Sequence, residues 1–97
     1  MEIMKTEWVC TDLDNEQYGR QISDGVFEFK EKNRGLLEYE EDEFIEIIID
    51  LGQYSTEEID NHISAYYRDI HEVEEIYGKD ADWIIAECIF EQESGLY

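Results

Sequence analysis

Cations are what this chain lacks most. Lys and Arg together number seven in 97 residues, against 27 Asp and Glu, and neither occurs between Arg34 and Arg68. Nucleic acid and anionic membranes are both held through basic side chains, so the composition excludes them as direct ligands. Proline is absent and no Ser-rich stretch marks a linker, so a single domain is expected at this length. Apolar runs stay short of the ~20 residues of a membrane-spanning helix. The opening "MEIMKTEW" has no basic region followed by an apolar one. The protein is therefore expected in the cytoplasm of its host cell, with no membrane partner. Cys10 and Cys88 have no paired spacing and read as small buried hydrophobes in a reducing compartment.

The patterns that carry catalysis or bind metals are missing too. "DLDNEQYGRQIS" (12–23) begins like a calcium loop with Asp12, Asp14 and Glu16, but Gln17 stands where Gly is needed and Ser23 where a bidentate Glu is needed. His62 and His71 are the only histidines, and on one helix they would face different ways, far in sequence from either cysteine. Ser55 and Ser64 have no nucleophile-elbow context, and no glycine-rich phosphate loop occurs. The expectation is a protein with no catalytic residues, no metal and no cofactor.

What is present is enough to fold. Apolar residues make up 42% and aromatics number thirteen, which separates the chain from disordered acidic segments despite a formal charge of −20. "TEWVCTDL" (6–13) and "YGRQIS" (18–23) read as strands about the turn "DNEQ". Asp24–Gly25 is a hairpin signal before the alternating "VFEFKEK". Ser55 and Glu58 have capping-box spacing and Gly78 is placed to end a helix. Between them Ile59, Ile63, Tyr66, Tyr67, Ile70, Val73 and Tyr77 form one apolar stripe at helical spacing. Asp80 can cap a last helix whose Trp83, Ile84, Ile85, Cys88 and Ile89 face inward. The fold class expected is α+β, a small antiparallel β-meander of two or three strands followed by three helices.

The acids are concentrated after residue 37, where nineteen acids meet only Arg68 and Lys79. "EYEEDEFIEIIID" (38–50) holds seven of them. Its flanking Glu residues favour a helix over residues 38–51, although "FIEIIID" also fits a strand. On a helix Glu38, Asp42, Glu46 and Asp50 would form an i, i+4 row climbing roughly 6 Å per step, with Leu37, Phe44, Ile48 and Leu51 on the other side. The next two segments repeat the pattern outside their apolar stripes. Glu57, Glu58, Asp60, Asp69, Glu72, Glu74 and Glu75 stand out in the second, and Asp80, Asp82, Glu87, Glu91 and Glu93 in the third. One such run is ordinarily a solvated face. Three in succession with almost no Lys point to a binding surface, with Glu38, Asp42, Glu46, Asp50, Glu57, Glu58, Asp69, Glu72 and Glu75 as the candidate partner-binding residues. Tyr66 and Tyr67 read as packing residues. Tyr39, Tyr54 and Tyr97 are less tied to a core and suit contact with Arg, which both pairs with carboxylates and stacks on rings.

DNA presents a negative charge every ~1.7 Å of its axis, and carboxylates spaced along helices can imitate that field. In its acidity, small size and α+β pattern, residues 38–97 resemble the DNA-mimic anti-defence proteins of phages and mobile elements: antirestriction proteins, some anti-CRISPR proteins and glycosylase inhibitors. "DLGQYSTEEI" (50–59) resembles the "LGxY" turn of ArdA-type antirestriction proteins, which are longer and carry it elsewhere. The resemblance implies an inhibitor of a basic nucleic-acid-binding protein or nuclease, working by occlusion. It supplies no individual site residue. An immunity protein or antitoxin for a basic nuclease toxin, and an acidic scaffold subunit, would use the same physics. A monomer and a dimer are both compatible with the sequence. Crowded carboxylates are also expected to have raised pKa values, so that salt and mild acid stabilise the fold.

Overall fold

In a computed structural model the described residues are 7–14, 16–32 and 44–94. They form an α+β fold in which an antiparallel sheet, in the order β1-β2-β3-β4, is covered on one face by helices. The strands are β1 (Val9–Asp12), β2 (Gln17–Ser23), β3 (Val26–Lys32) and β4 (Phe44–Asp50). The first three follow the expected meander, and β2 and β3 join through Asp24–Gly25, where Gly25 takes φ 69°. A side chain there would be strained, so glycine fits the turn.

The fourth strand corrects the sequence reading. Residues 44–50 are not part of a helix over 38–51, and the expected count of two or three strands becomes four. β4 pairs with β3 from Val26↔Asp50 to Lys32↔Phe44 without a bulge. Three causes favour the strand. Ile45, Ile47, Ile48 and Ile49 are β-branched and stiff at χ1. Alternation turns Ile45, Ile47 and Ile49 to the face on which Phe27 and Phe29 are buried. Opposite Glu46 stands Lys30, so a cross-strand pair of unlike charge replaces an i, i+4 pair of like charge. Glu38 and Asp42, with Leu37 and Tyr39, lie outside the described residues, as does Tyr97.

A short 3-10 turn (Leu51–Gln53) leads to α1 (Thr56–Ile63), which is followed by α2 (Ile70–Tyr77) and α3 (Ala81–Ser94). The expected capping box closes at the start of α1: Glu58 N–H donates to Ser55 Oγ (3.2 Å) and Ser55 N–H to Glu58 Oε1 (2.9 Å). The single helix expected from 55 to 77 is broken, however. Tyr66 and Tyr67 N–H both donate to the Ile63 carbonyl, and Ser64 Oγ donates back to Asn61 O. Asp69 then caps α2 by accepting from Glu72 N–H, while Asp60 accepts from Ile70 N–H. Such side-chain partners offer the backbone an alternative to continued helix, and here they win without Pro or Gly. α2 ends at Gly78, as expected. Asp80 lies within a second 3-10 turn (Gly78–Asp80) that runs directly into α3.

α3 is the centre of the molecule, packed on β3 and β4 and also against α1 and α2. A helix contacted on several sides must be apolar nearly all round, and Ala81, Ile85, Ala86, Cys88, Ile89 and Phe90 are all buried. Four rings hold it to the sheet. Phe29, wholly buried, stacks on Phe90 at 4.9 Å and meets Trp83 edge-on at 5.6 Å, and Trp83 also lies 5.1 Å from Phe27. Gly19 on β2 leaves the space they need. A Cβ there would lie 2.7 Å from the Phe29 ring and 3.0 Å from Trp83.

Gly19→Ala is therefore expected to destabilise the protein by about 1–3 kcal/mol, the usual range for overpacking a dense core. Urea unfolding checks this, and an unchanged midpoint would show that the rings can give way.

Candidate functional site

Charge divides the molecule into two unlike surfaces. On the outer face of the sheet the cations are engaged locally. Arg20 Nε lies 2.6 Å from Glu28 Oε2 and its guanidinium lies 4.3 Å from the Trp8 ring. Lys30 Nζ is surrounded by the rings of Trp8 (4.7 Å), Phe44 (5.6 Å) and Tyr18 (5.7 Å). Lys32 pairs with Glu16 at 3.4 Å. Glu46 and Asp50 belong to this side. Glu46 is exposed opposite Lys30, and Asp50 accepts from Gly52 N–H at 3.0 Å. They share a strand face, but not the helical row expected of them. Cys10, expected to be buried, is exposed on this face in register with Tyr18, whereas Cys88 is buried.

The helical side is different. Residues 51–94 contain twelve acids and only Arg68 and Lys79 as bases. Arg68 approaches its neighbour Asp69 at 3.8 Å, and His71 lies 3.6 Å from Glu74. Of the candidate residues, Glu58, Asp69 and Glu72 are used in capping, the last by accepting from Arg68 N–H at 3.0 Å. Glu57 and Glu75 are exposed, as are Glu74, Asp80, Asp82, Glu91 and Glu93. Capping does not cancel charge. A carboxylate that accepts a backbone N–H keeps its full negative charge, and the capping bonds hold Glu58's pKa below the ordinary carboxylate value.

The break between α1 and α2 creates the one feature on this side that the apolar stripe concealed. Tyr66 swings off the core and is 54% exposed, while Tyr67 stays partly buried. Together with Tyr77 they line a hollow of about 240 Å³ above α3, where Glu87 and Glu91, one turn apart, complete it with Ile84 and Cys88. Tyr66 Oη donates to Glu91 Oε2 at 3.0 Å. Tyr67 and Tyr77 share a hydroxyl hydrogen bond of 2.7 Å with their rings edge to face, which pushes the Tyr67 pKa up to about 12. Burial, then the nearby Glu91 and Glu87, push the Cys88 thiol up to about 11. Glu87 is raised as well, first by burial and then by Glu91 and by Asp12 of β1. The expectation of raised carboxylate pKa values thus holds at Glu87 and is reversed at Glu58.

Tyr54, read as less tied to a core, packs against it and meets His62 edge-on at 5.7 Å. His62 in turn is tied to α3, its Nδ1 lying 2.9 Å from Gln92 Oε1 while Gln92 Nε2 donates to the His62 carbonyl. Among the described residues no group of three or more His, Cys, Asp or Glu is placed to hold a metal ion, and no helix is long and apolar enough to cross a membrane. No protein-family model matches the chain, and neither a curated protein nor a solved structure matches it.

Glu87 carries a definite pH signature. Its pKa is higher in the folded than in the unfolded chain, so the folded state binds the extra proton as pH falls. The ionised group therefore opposes folding above its folded pKa, and the penalty disappears below the unfolded value. Glu87→Gln is expected to raise Tm near pH 7 and to leave it unchanged below about pH 4, near the ordinary Glu value. Paired thermal melts across that range check this, and a Tm difference independent of pH would contradict it.

Proposed function

We propose that this protein is an inhibitor that binds the basic nucleic-acid-binding surface of a DNA- or RNA-processing protein, presenting its acidic helical side in place of the nucleic-acid backbone. One observation carries the reading. The sheet engages its own cations with its own rings and acids, while among the described residues the helical side forms ion pairs only at Asp69, with Arg68, and at Glu74, with His71. Local repulsion of this kind works against folding and exceeds what solubility needs, roughly 2–8 charges for a small domain. A partner lined with Lys and Arg would turn the same charge into binding energy and fast, steered association.

The row Glu38–Asp42–Glu46–Asp50 no longer supports this reading, since its described members lie on a strand of the opposite surface. The reading now rests on Glu57, Glu74, Glu75, Asp82, Glu91 and Glu93, which are exposed on the helices. Action would be by occlusion, with no bond made or broken. DNA itself would be repelled. An anti-defence protein of a phage or mobile element is the concrete case that the charge pattern suggests.

The test is displacement of a fluorescent duplex from a panel of restriction, RNA-guided and toxin nucleases, read by anisotropy at low and high salt. The protein is expected to release the duplex from at least one of them without binding the duplex itself. Changing Glu57, Glu75 and Glu93 to Gln and Asp82 to Asn spares every cap. Because each desolvated charge pair can contribute ~1.5 kcal/mol or more, this change should weaken displacement by a hundredfold or more. Glu46→Gln should change it little. A shift of free duplex by the protein would refute the proposal, as would equal potency of the four-site variant. Displacement confined to a toxin nuclease would assign the immunity-protein form of the same mechanism.

A further inference from the structure

The hollow between the α1–α2 turn and α3 is lined by two kinds of side chain. From one side come the Tyr66, Tyr67 and Tyr77 rings, and from the other the Glu87 and Glu91 carboxylates. On α3 the two acids are four residues apart and so share a face, about 6 Å apart along the axis. Its volume of about 240 Å³ falls below the ~300 Å³ at which sites for drug-sized molecules begin, and suits a single long side chain.

The acids here are also short of a partner. Glu91 takes one hydroxyl hydrogen bond from Tyr66. Glu87 is half-buried, with Glu91, Asp12, the Cys88 thiol and the Tyr67 hydroxyl among its titratable neighbours, and among the described residues no Lys, Arg or His forms an ion pair with it. A carboxylate withdrawn from water beside other acids is expensive to keep ionised unless a cation joins it.

We infer that this hollow is a socket for one arginine side chain of the partner, its guanidinium lying against the tyrosine rings and donating to Glu87 and Glu91. The chemistry favours arginine over lysine. A guanidinium is planar, weakly hydrated and rich in donors, so it can stack on a ring while bridging two carboxylates. An ammonium is a compact, strongly hydrated point charge that does one or the other. The Tyr67–Tyr77 hydroxyl pair holds two of the rings in place before any ligand arrives. The inference deepens the proposed function, on which it rests, by naming the side chain through which the acidic surface would grip a basic partner.

The experiment uses the full chain, isotope-labelled for NMR, titrated with a blocked Gly-Arg-Gly peptide and with its lysine and citrulline counterparts. Citrulline keeps the shape of arginine and removes the charge. The arginine peptide is expected to give saturable shifts at the Tyr66, Tyr67 and Tyr77 rings and at the Glu87 side chain. It should bind several-fold more tightly than the lysine peptide, with no binding by the citrulline one. The double variant Glu87→Gln/Glu91→Gln should lose about tenfold or more in affinity, as expected when two charge-assisted hydrogen bonds are replaced by neutral ones. Its other resonances should stay at their native positions, which shows that the fold is intact. Equal binding of the arginine and lysine peptides, with shifts spread over α1 and α2, would overturn the socket in favour of general charge attraction. Unchanged affinity in the double variant would overturn it too. No partner enters this experiment, so its failure leaves duplex displacement standing, and failure of displacement leaves the peptide result standing.

Discussion

The stack of Phe29 on Phe90, with Trp83 set edge-on against the pair and against Phe27, fixes α3 to the sheet, and the remaining architecture is arranged about that contact. It needs a glycine at position 19 to make room for the rings, and a strand at 44–50 to bring Ile47 and Ile49 beside them. Once α3 is held on one side, its other side becomes the surface on which the short helices α1 and α2 pack through Ile59, Ile63 and Val73. Helices of eight residues have little stability of their own, so this packing is what keeps them formed. Burial of apolar surface in a small core thus opposes the mutual repulsion of a chain with twenty excess negative charges.

That opposition explains where the charge goes. On the sheet each described cation stands beside an acid or a ring, Arg20 with Glu28 and Trp8, Lys32 with Glu16, and Lys30 among the rings of Trp8, Tyr18 and Phe44. On the helices the acids occupy positions that helix chemistry tolerates. Glu57, Glu58 and Glu72 lie in first turns, where the exposed N–H groups and the helix dipole favour negative charge. Asp69 and Glu58 close caps. A surface can in this way be made strongly anionic while each local contribution stays tolerable. The same placement leaves the negative field facing outward, which is what a partner evolved to hold a phosphate backbone would meet.

Much of this was legible in the residues. "VFEFKEK" with its Asp24–Gly25 turn announces β3 and its hairpin, Ser55 and Glu58 announce α1, and the spacing turns Ile85, Cys88 and Ile89 of α3 inward but does not pick out Phe90, which stacks on Phe29. A physical ambiguity separates the strand β4 from the helix that its acids favour. A four-residue spacing puts Glu46 and Asp50 on one face of a helix, but it also puts them on one face of a strand, so the acids could not decide between the two. The β-branched run Ile47–Ile48–Ile49 was the better guide. In the second helical segment the apolar stripe ran unbroken through the turn and hid it. The signal for the break was Asp69 with Glu72, which has the same N-terminal spacing as Ser55 with Glu58. The hollow depends on that break, because Tyr66 leaves the core only where the helix stops.

The proposed function makes one central claim: the acidic helices, and not the outer face of the sheet, would meet a partner. Amide hydrogen exchange, compared for the free protein and for its complex with whichever nuclease it displaces from DNA, tests that claim most directly. The account predicts slowed exchange in α1, in α2 and along α3 around Glu87 and Glu91, with β1, β2 and β3 unchanged. Protection confined to the strands around Trp8, Tyr18 and Lys30, with the helices exchanging as in the free protein, would contradict it.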